Sequence, residues 1–134
     1  MILSEFVNQN DVDFTYNRVD ASYIPKMEKW VGVKIGEQLA SYITEYGYLG
    51  CRHIEFFGVN SIQMEKSDMI AKTVFLHNRF PQTKNMIALE DMGDWDFILV
   101  DSNDDVYHFI PGNNTLSKTN LKLNGFIIAR FARI

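Results

Sequence analysis

Apolar positions along the chain recur at helical spacing in some stretches and alternate in others, and the two patterns set the expected elements. A short helical turn is expected at Ser4–Asn8. The first full helix is expected over Ser22–Val31: Ile24, Met27 and Val31 share a face, with Trp30 beside them. Ser22 is the expected N-cap, Pro25 falls in the first turn where its missing N–H is harmless, and Gly32 ends the helix. A second helix, Gly36–Tyr46, lines up Leu39, Tyr42, Ile43 and Tyr46 ahead of Gly47. Arg52–Phe57 alternates as a strand, with Ile54 and Phe56 on one side. A third helix is expected over Ser67–Arg79, capped by Ser67, buried along Ile70, Val74 and His77, and stopped by Pro81.

Three strands then follow at Met86–Glu90, Asp96–Asp101 and Val106–Ile110. The run Phe97-Ile98-Leu99-Val100 is apolar on both faces, which places it centrally in a sheet. Ser102-Asn103-Asp104-Asp105 makes the hairpin turn to the last strand. Leu121–Ile134 closes the chain as a helix whose face is Leu123, Phe126, Ile127, Phe131 and Ile134. Strands in one run with helices at either end predict an α+β fold, a central antiparallel sheet with helices at the N- and C-terminal ends. No repeat, low-complexity tract or linker interrupts the sequence, so one domain over residues 1–134 is expected.

Composition narrows the functional classes. With 134 residues and 46% hydrophobic content the chain is long enough to bury a core without staples. A single cysteine, Cys51, excludes a disulfide framework and a multi-cysteine metal site, and fits a reducing compartment. No basic, then apolar, leader opens the sequence, and no stretch approaches the ~20 apolar residues of a membrane span, so a cytoplasmic location is expected. Net charge is −4, and it is unevenly spread. Glu90, Asp91, Asp94, Asp96, Asp101, Asp104 and Asp105 carry seven negative charges with no cation between them, whereas Lys118, Lys122, Arg130 and Arg133 follow without an acid. Such a surface repels nucleic acid and lipid head groups and attracts basic proteins.

Candidate chemistry is thin. His53, His77 and His108 are scattered outside any metal-ligand pattern, and a structural role is expected for each. Cys51 lies two residues from His53, but no glycine turn or basic neighbourhood marks it as an activated thiol. Asp101-Ser102-Asn103-Asp104-Asp105 begins like a calcium loop, then has Val106 where glycine is required and Gly112 where a bidentate glutamate belongs; a solvated hairpin tip is expected. Phosphate-binding glycine loops are absent. No catalytic residue, cofactor site or metal site is therefore expected, and an enzyme built on a carboxylate pair such as Glu90 and Asp101 is the weakest reading. Glu90-Asp91-Met92-Gly93-Asp94-Trp95-Asp96 holds more interest, because it sets an indole among four carboxylates. Two readings stand: Trp95 caps the core while the acids keep the loop soluble, or Trp95 anchors a binding surface.

The string Ile24-Pro25-Lys26-Met27-Glu28-Lys29-Trp30-Val31-Gly32 leads into Leu39, Tyr42-Ile43 and Tyr46-Gly47, then Glu55-Phe56-Phe57-Gly58 and Met92-Gly93-Asp94-Trp95-Asp96 through Asp101. In order and spacing this resembles, over residues 19–134, the SUKH superfamily, the domain shared by a yeast cell-wall-synthesis regulator and many bacterial immunity proteins. Ile35-Gly36 stands where the family commonly has a proline opening the second helix, and Trp95 replaces a small residue. The resemblance implies a SUKH-like α+β fold. For bacterial members it implies stoichiometric inhibition of a cognate toxin, many such toxins being nucleases, and for eukaryotic relatives a scaffold that recruits a host protein. A nuclease needs a basic cleft. On that reading Asp91, Asp94, Asp96, Asp104 and Asp105 are expected to steer such a toxin domain, with Trp95 as the apolar anchor, and with no direct contact to nucleic acid or membrane.

Overall fold

The structure is a computed structural model that describes residues 2–14, 18–59 and 63–133. Its elements run α1 (Leu3–Gln9), α2 (Ile24–Val31), α3 (Glu37–Glu45), β1 (Leu49–Cys51), β2 (Ile54–Phe56), α4 (Asp68–Arg79), β3 (Met86–Asp91), β4 (Phe97–Asp101), β5 (Asp105–Ile110), β6 (Thr115–Lys122) and α5 (Leu123–Ala132). The fold is α+β, as expected: β3-β4-β5-β6 form one antiparallel sheet in chain order, and β1 and β2 form a separate hairpin. Two strands escape the sequence pattern. β1 carries Gly50 in its centre, and β6 is an edge strand of mixed polar residues with no buried face to impose alternation. The turn between β1 and β2 also takes Arg52 and His53 out of the expected strand, Arg52 with φ of 56°.

Local chemistry explains most helix boundaries. α2 begins after a turn of 3-10 helix over Ala21–Tyr23, and the capping carboxylate is Asp20, not Ser22: Asp20 Oδ1 accepts the Ser22 N–H at 2.9 Å. Gly32 ends α2 in the left-handed region with φ of 69°. The buried face of α4 is Met69, Ile70, Thr73 and Leu76, so Val74 of the expected stripe is exposed. Thr73 and His77, one turn apart, guard the outer edge of β3. The Ala88 N–H donates to Thr73 Oγ1 at 2.9 Å, and His77 Nε2 lies 2.7 Å from the Met86 carbonyl. The last helix starts at Leu123, two residues later than expected, because Leu121 and Lys122 belong to β6; Ile134 lies outside the described residues.

Side chains on the two faces of the sheet enter different apolar clusters. Ile87, Leu89, Ile98, Val100 and Val106 meet the helices, including Met27, Leu39, Ile43, Leu123, Ile127 and Phe131. Met86, Ala88, Phe97, Leu99 and Phe109 gather with Leu76 on the other side. β4 is buried on both faces over Phe97–Val100, which matches its uninterrupted apolar run. The register of β3 against β4 skips Leu89, a one-residue bulge between Ala88 and Glu90. Strict alternation would have sent Glu90 to the face away from α5. The extra residue turns it toward α5, where Arg130 waits.

Candidate functional site

Five residues, Met92–Asp96, connect β3 to β4. The loop is closed by the Met92 N–H donating to the Asp96 carbonyl at 2.8 Å, and by the Gly93 N–H donating to Asp91 Oδ1 at 2.9 Å. Gly93, Asp94 and Trp95 are consecutively left-handed, with φ of 87°, 54° and 59°. For residues with a Cβ, and most of all for a bulky indole, that conformation costs about 1–3 kcal/mol each and needs surrounding structure to hold it.

That structure is aromatic. Trp95 remains 45% exposed, yet its ring meets Phe75, Phe80 and Phe97 at centroid distances of 6.4, 5.9 and 6.4 Å. The Arg79 guanidinium lies 4.9 Å over the indole, and Lys72 reaches over the rings of Phe75 and Phe97. Phe75, Val74 and Met92 are exposed as well. Trp95 is thus neither buried as a core cap nor ringed by carboxylates alone. One flank of its surroundings is cationic and belongs to α4.

The five acids expected to work together have four different surroundings, and their neighbour Glu90 has a fifth. Asp91 and Asp94 are exposed on the loop. Asp96 is half-buried and pairs with His108 of β5. Glu90 is 2% exposed and bound on both oxygens by Arg130, at 3.2 and 2.8 Å. Asp104 and Asp105 sit at the opposite end of β4, five residues or about 17 Å of strand away. There Asp104 is only 6% exposed, and its two oxygens accept the N–H groups of Gln38 and Leu39 at the start of α3, both at 3.0 Å. This withdraws Asp104 from any outward-facing set: it is a helix cap supplied from 65 residues away. Asp105 is engaged by Lys122 and Lys118 at 3.0 and 3.4 Å, and the hydrogen bond from Lys122 leads in holding its carboxyl below the ordinary range.

The hairpin tip closes on itself. Asp101 Oδ1 accepts the N–H groups of Asn103 and Asp105, and Oδ2 accepts the Tyr107 hydroxyl, so the oxygens at the head of the calcium-like string serve the turn. Glu90 and Asp101 face Ile98 and Met86 across the ladder, at its two ends, and do not converge. Cys51 and His53 line different depressions. Among the described residues no group of three or more His, Cys, Asp or Glu is placed to hold a metal ion, and no helix is long and apolar enough to cross a membrane.

Sequence reasoning missed one feature beside the loop. A cleft of about 760 Å³ opens between β2, the start of α4 and the end of β3, and Asp91, Met92 and Gly93 form one of its walls. Glu90 and Arg130 line it too, as do His53, Glu55, Lys66, Ser67 and Asp68. Ser67 stands at the N-cap position of α4 but makes no capping bond, and its buried hydroxyl has no hydrogen-bond partner among the described residues. The alternation that marks strands cannot signal a cleft assembled from five separate stretches of chain.

A family model described as SMI1-KNR4 cell-wall matches residues 2–122 of the chain. No curated protein matches it significantly.

Proposed function

The chain belongs to the SMI1-KNR4 family of the SUKH superfamily, and from that premise we propose that it is an immunity protein: it binds a cognate toxin domain one-to-one and blocks it without chemistry of its own. The observation that carries this reading is the Trp95 cluster. A half-exposed indole, held in a strained loop and backed by Phe75, Phe80 and Phe97, is a rigid apolar anchor of the kind that dominates binding energy at interfaces. Asp91 and Asp94, exposed on the same loop, supply negative charge beside it. A nuclease toxin must present a basic cleft to hold phosphates, and a carboxylate-bearing loop fits such a cleft. Complementary charge of this sort raises association toward ~10⁸ M⁻¹s⁻¹ and then leaves the apolar anchor to set the lifetime of the complex. Asp96 contributes less, because His108 already engages it, and Asp104 contributes nothing outward. The site of action is the cytoplasm of the cell that makes the protein, where the toxin would otherwise act.

The test is co-expression with the toxin domain encoded beside its gene, followed by co-purification and growth measurement. A one-to-one complex that restores growth is expected. Trp95→Ala is expected to shorten the lifetime of the complex, and Asp91→Lys with Asp94→Lys to slow its formation with a weakened salt dependence. A toxin that stays active in the presence of excess purified chain overturns the proposal.

A further inference from the structure

We propose that the cleft beside the Trp95 loop is a socket for a basic side chain of the protein partner, an arginine guanidinium above all. The inference rests on the reading of the chain as a protein-binding inhibitor and names a second contact for it. Ser67 is 5% exposed, and among the described residues its Oγ has no hydrogen-bond partner although the residue lines a polar cleft. A buried hydroxyl left that way is a cost that an incoming donor removes. The start of α4 is not an open anion site. The Met69 N–H is already given to the Gly58 carbonyl at 3.2 Å, and Asp68 in the first turn sets a negative charge against the positive end of the helix.

Charge decides which guest fits. Arg130 is spent on Glu90, which leaves Lys66 and His53 against the carboxylates of Glu55, Asp68 and Asp91. The excess is negative, so a cation is favoured over an anion. A guanidinium brings five donors in a planar fork, matched to carboxylates and able to give one N–H to the Ser67 hydroxyl once that side chain turns from its closed position into the cleft. Phe57 and Met92 on the walls offer apolar surface for the stem of the side chain. Asp91 and Met92 also belong to the Trp95 loop, so one loop of a basic partner reaches both the anchor and the socket.

The probe is N-acetyl-L-arginine methylamide, titrated into the isotopically labelled full chain and followed by the backbone amide resonances. Saturable shifts at Ser67, Asp91 and their neighbours are expected, with none from the uncharged citrulline counterpart. Asp91→Asn and Ser67→Ala are each expected to weaken the response about tenfold, the loss of one bond to a charged group. Equal shifts from citrulline, shifts scattered over the surface, no shift at all, or shifts at Ser67 caused by inorganic phosphate in place of arginine would each overturn the socket. The experiment needs no toxin. Arginine binding by a chain that fails to protect cells removes the inhibitor reading alone, and a protective complex without arginine binding removes the socket alone.

Discussion

Replacing Asp104 by alanine strikes a carboxylate that ties three parts of the fold together. Its side chain accepts two backbone N–H groups of α3, its own carbonyl accepts the Leu123 N–H at 2.9 Å, and its backbone is left-handed with φ of 64°. Gly36 leaves the room: a Cβ there would fall 2.5 Å from Asp104 Oδ1. Loss of an N-cap alone costs about 1 kcal/mol. Here the cap is charged, nearly buried and bonded twice, and hydrogen bonds to a charged group are worth about 1.5–3 kcal/mol each. Part of that returns as water reaches the exposed side of the Gln38 N–H, so about 3 kcal/mol is expected for Asp104→Ala. Asparagine keeps one acceptor and tolerates the left-handed backbone, so Asp104→Asn should lose only about 1–2 kcal/mol. Urea denaturation at neutral pH measures both, through a lower midpoint with an unchanged slope. An alanine variant within about 0.5 kcal/mol of the parent, the range of ordinary surface substitutions, would refute the reasoning, and so would an asparagine variant as damaged as alanine.

Three further outcomes follow from the same geometry. Arg130→Ala strands the buried Glu90 carboxylate and should cost about 3–5 kcal/mol in the same denaturation assay, whereas Glu90→Leu with Arg130→Met should fall close to the parent. Ser67→Ala removes a buried hydroxyl that makes no capping bond and should raise stability by about 1 kcal/mol, the opposite sign from deletion of a working cap. Burial leads in raising the pKa of Tyr42, whose hydroxyl donates to the Phe57 carbonyl at 2.8 Å. The folded chain therefore keeps a proton that the unfolded chain gives up near pH 10, so stability should hold below that pH and fall as pH rises past it, and Tyr42→Phe should flatten the alkaline limb of a stability–pH curve.

What the sequence made legible was periodicity backed by a local stop signal. α2 and α3 carry clean helical stripes bounded by Gly32 and Gly47, and Phe97–Val100 of β4 is an unbroken apolar run, so each appeared where it was read. β6 did not, because an edge strand without a buried face obeys no alternation. Val74 was misplaced on α4 because threonine reads as polar, while Thr73 in fact turns inward to meet the Ala88 N–H. The acidic run was read as one surface because its members are near in sequence. Their fates depend on partners far along the chain: Arg130 for Glu90, the amides of Gln38 and Leu39 for Asp104, and Lys118 and Lys122 for Asp105. No local pattern contains those partners, and so none separates a cap from a buried ion pair or from a free charge.

That sorting bears on why the loop from Met92 to Asp96 is the place to look for function. The buried acids are each matched by donors, which is what stability requires of a buried carboxylate. Asp94 and Trp95 break that rule of economy, since both occupy a left-handed backbone that glycine would adopt without cost. Asp94→Gly should accordingly stabilise the fold by about 1 kcal/mol, provided the aromatic bed of Phe75, Phe80 and Phe97 continues to hold the indole. A chain under selection for stability alone would make that exchange. If the loop is a binding element, the glycine variant should gain stability and lose association rate together, and rapid-mixing kinetics alongside denaturation separates the two. Gain of stability with unchanged association would mean that the charge at Asp94 does nothing for the partner, and that Trp95 and the cleft carry recognition without it.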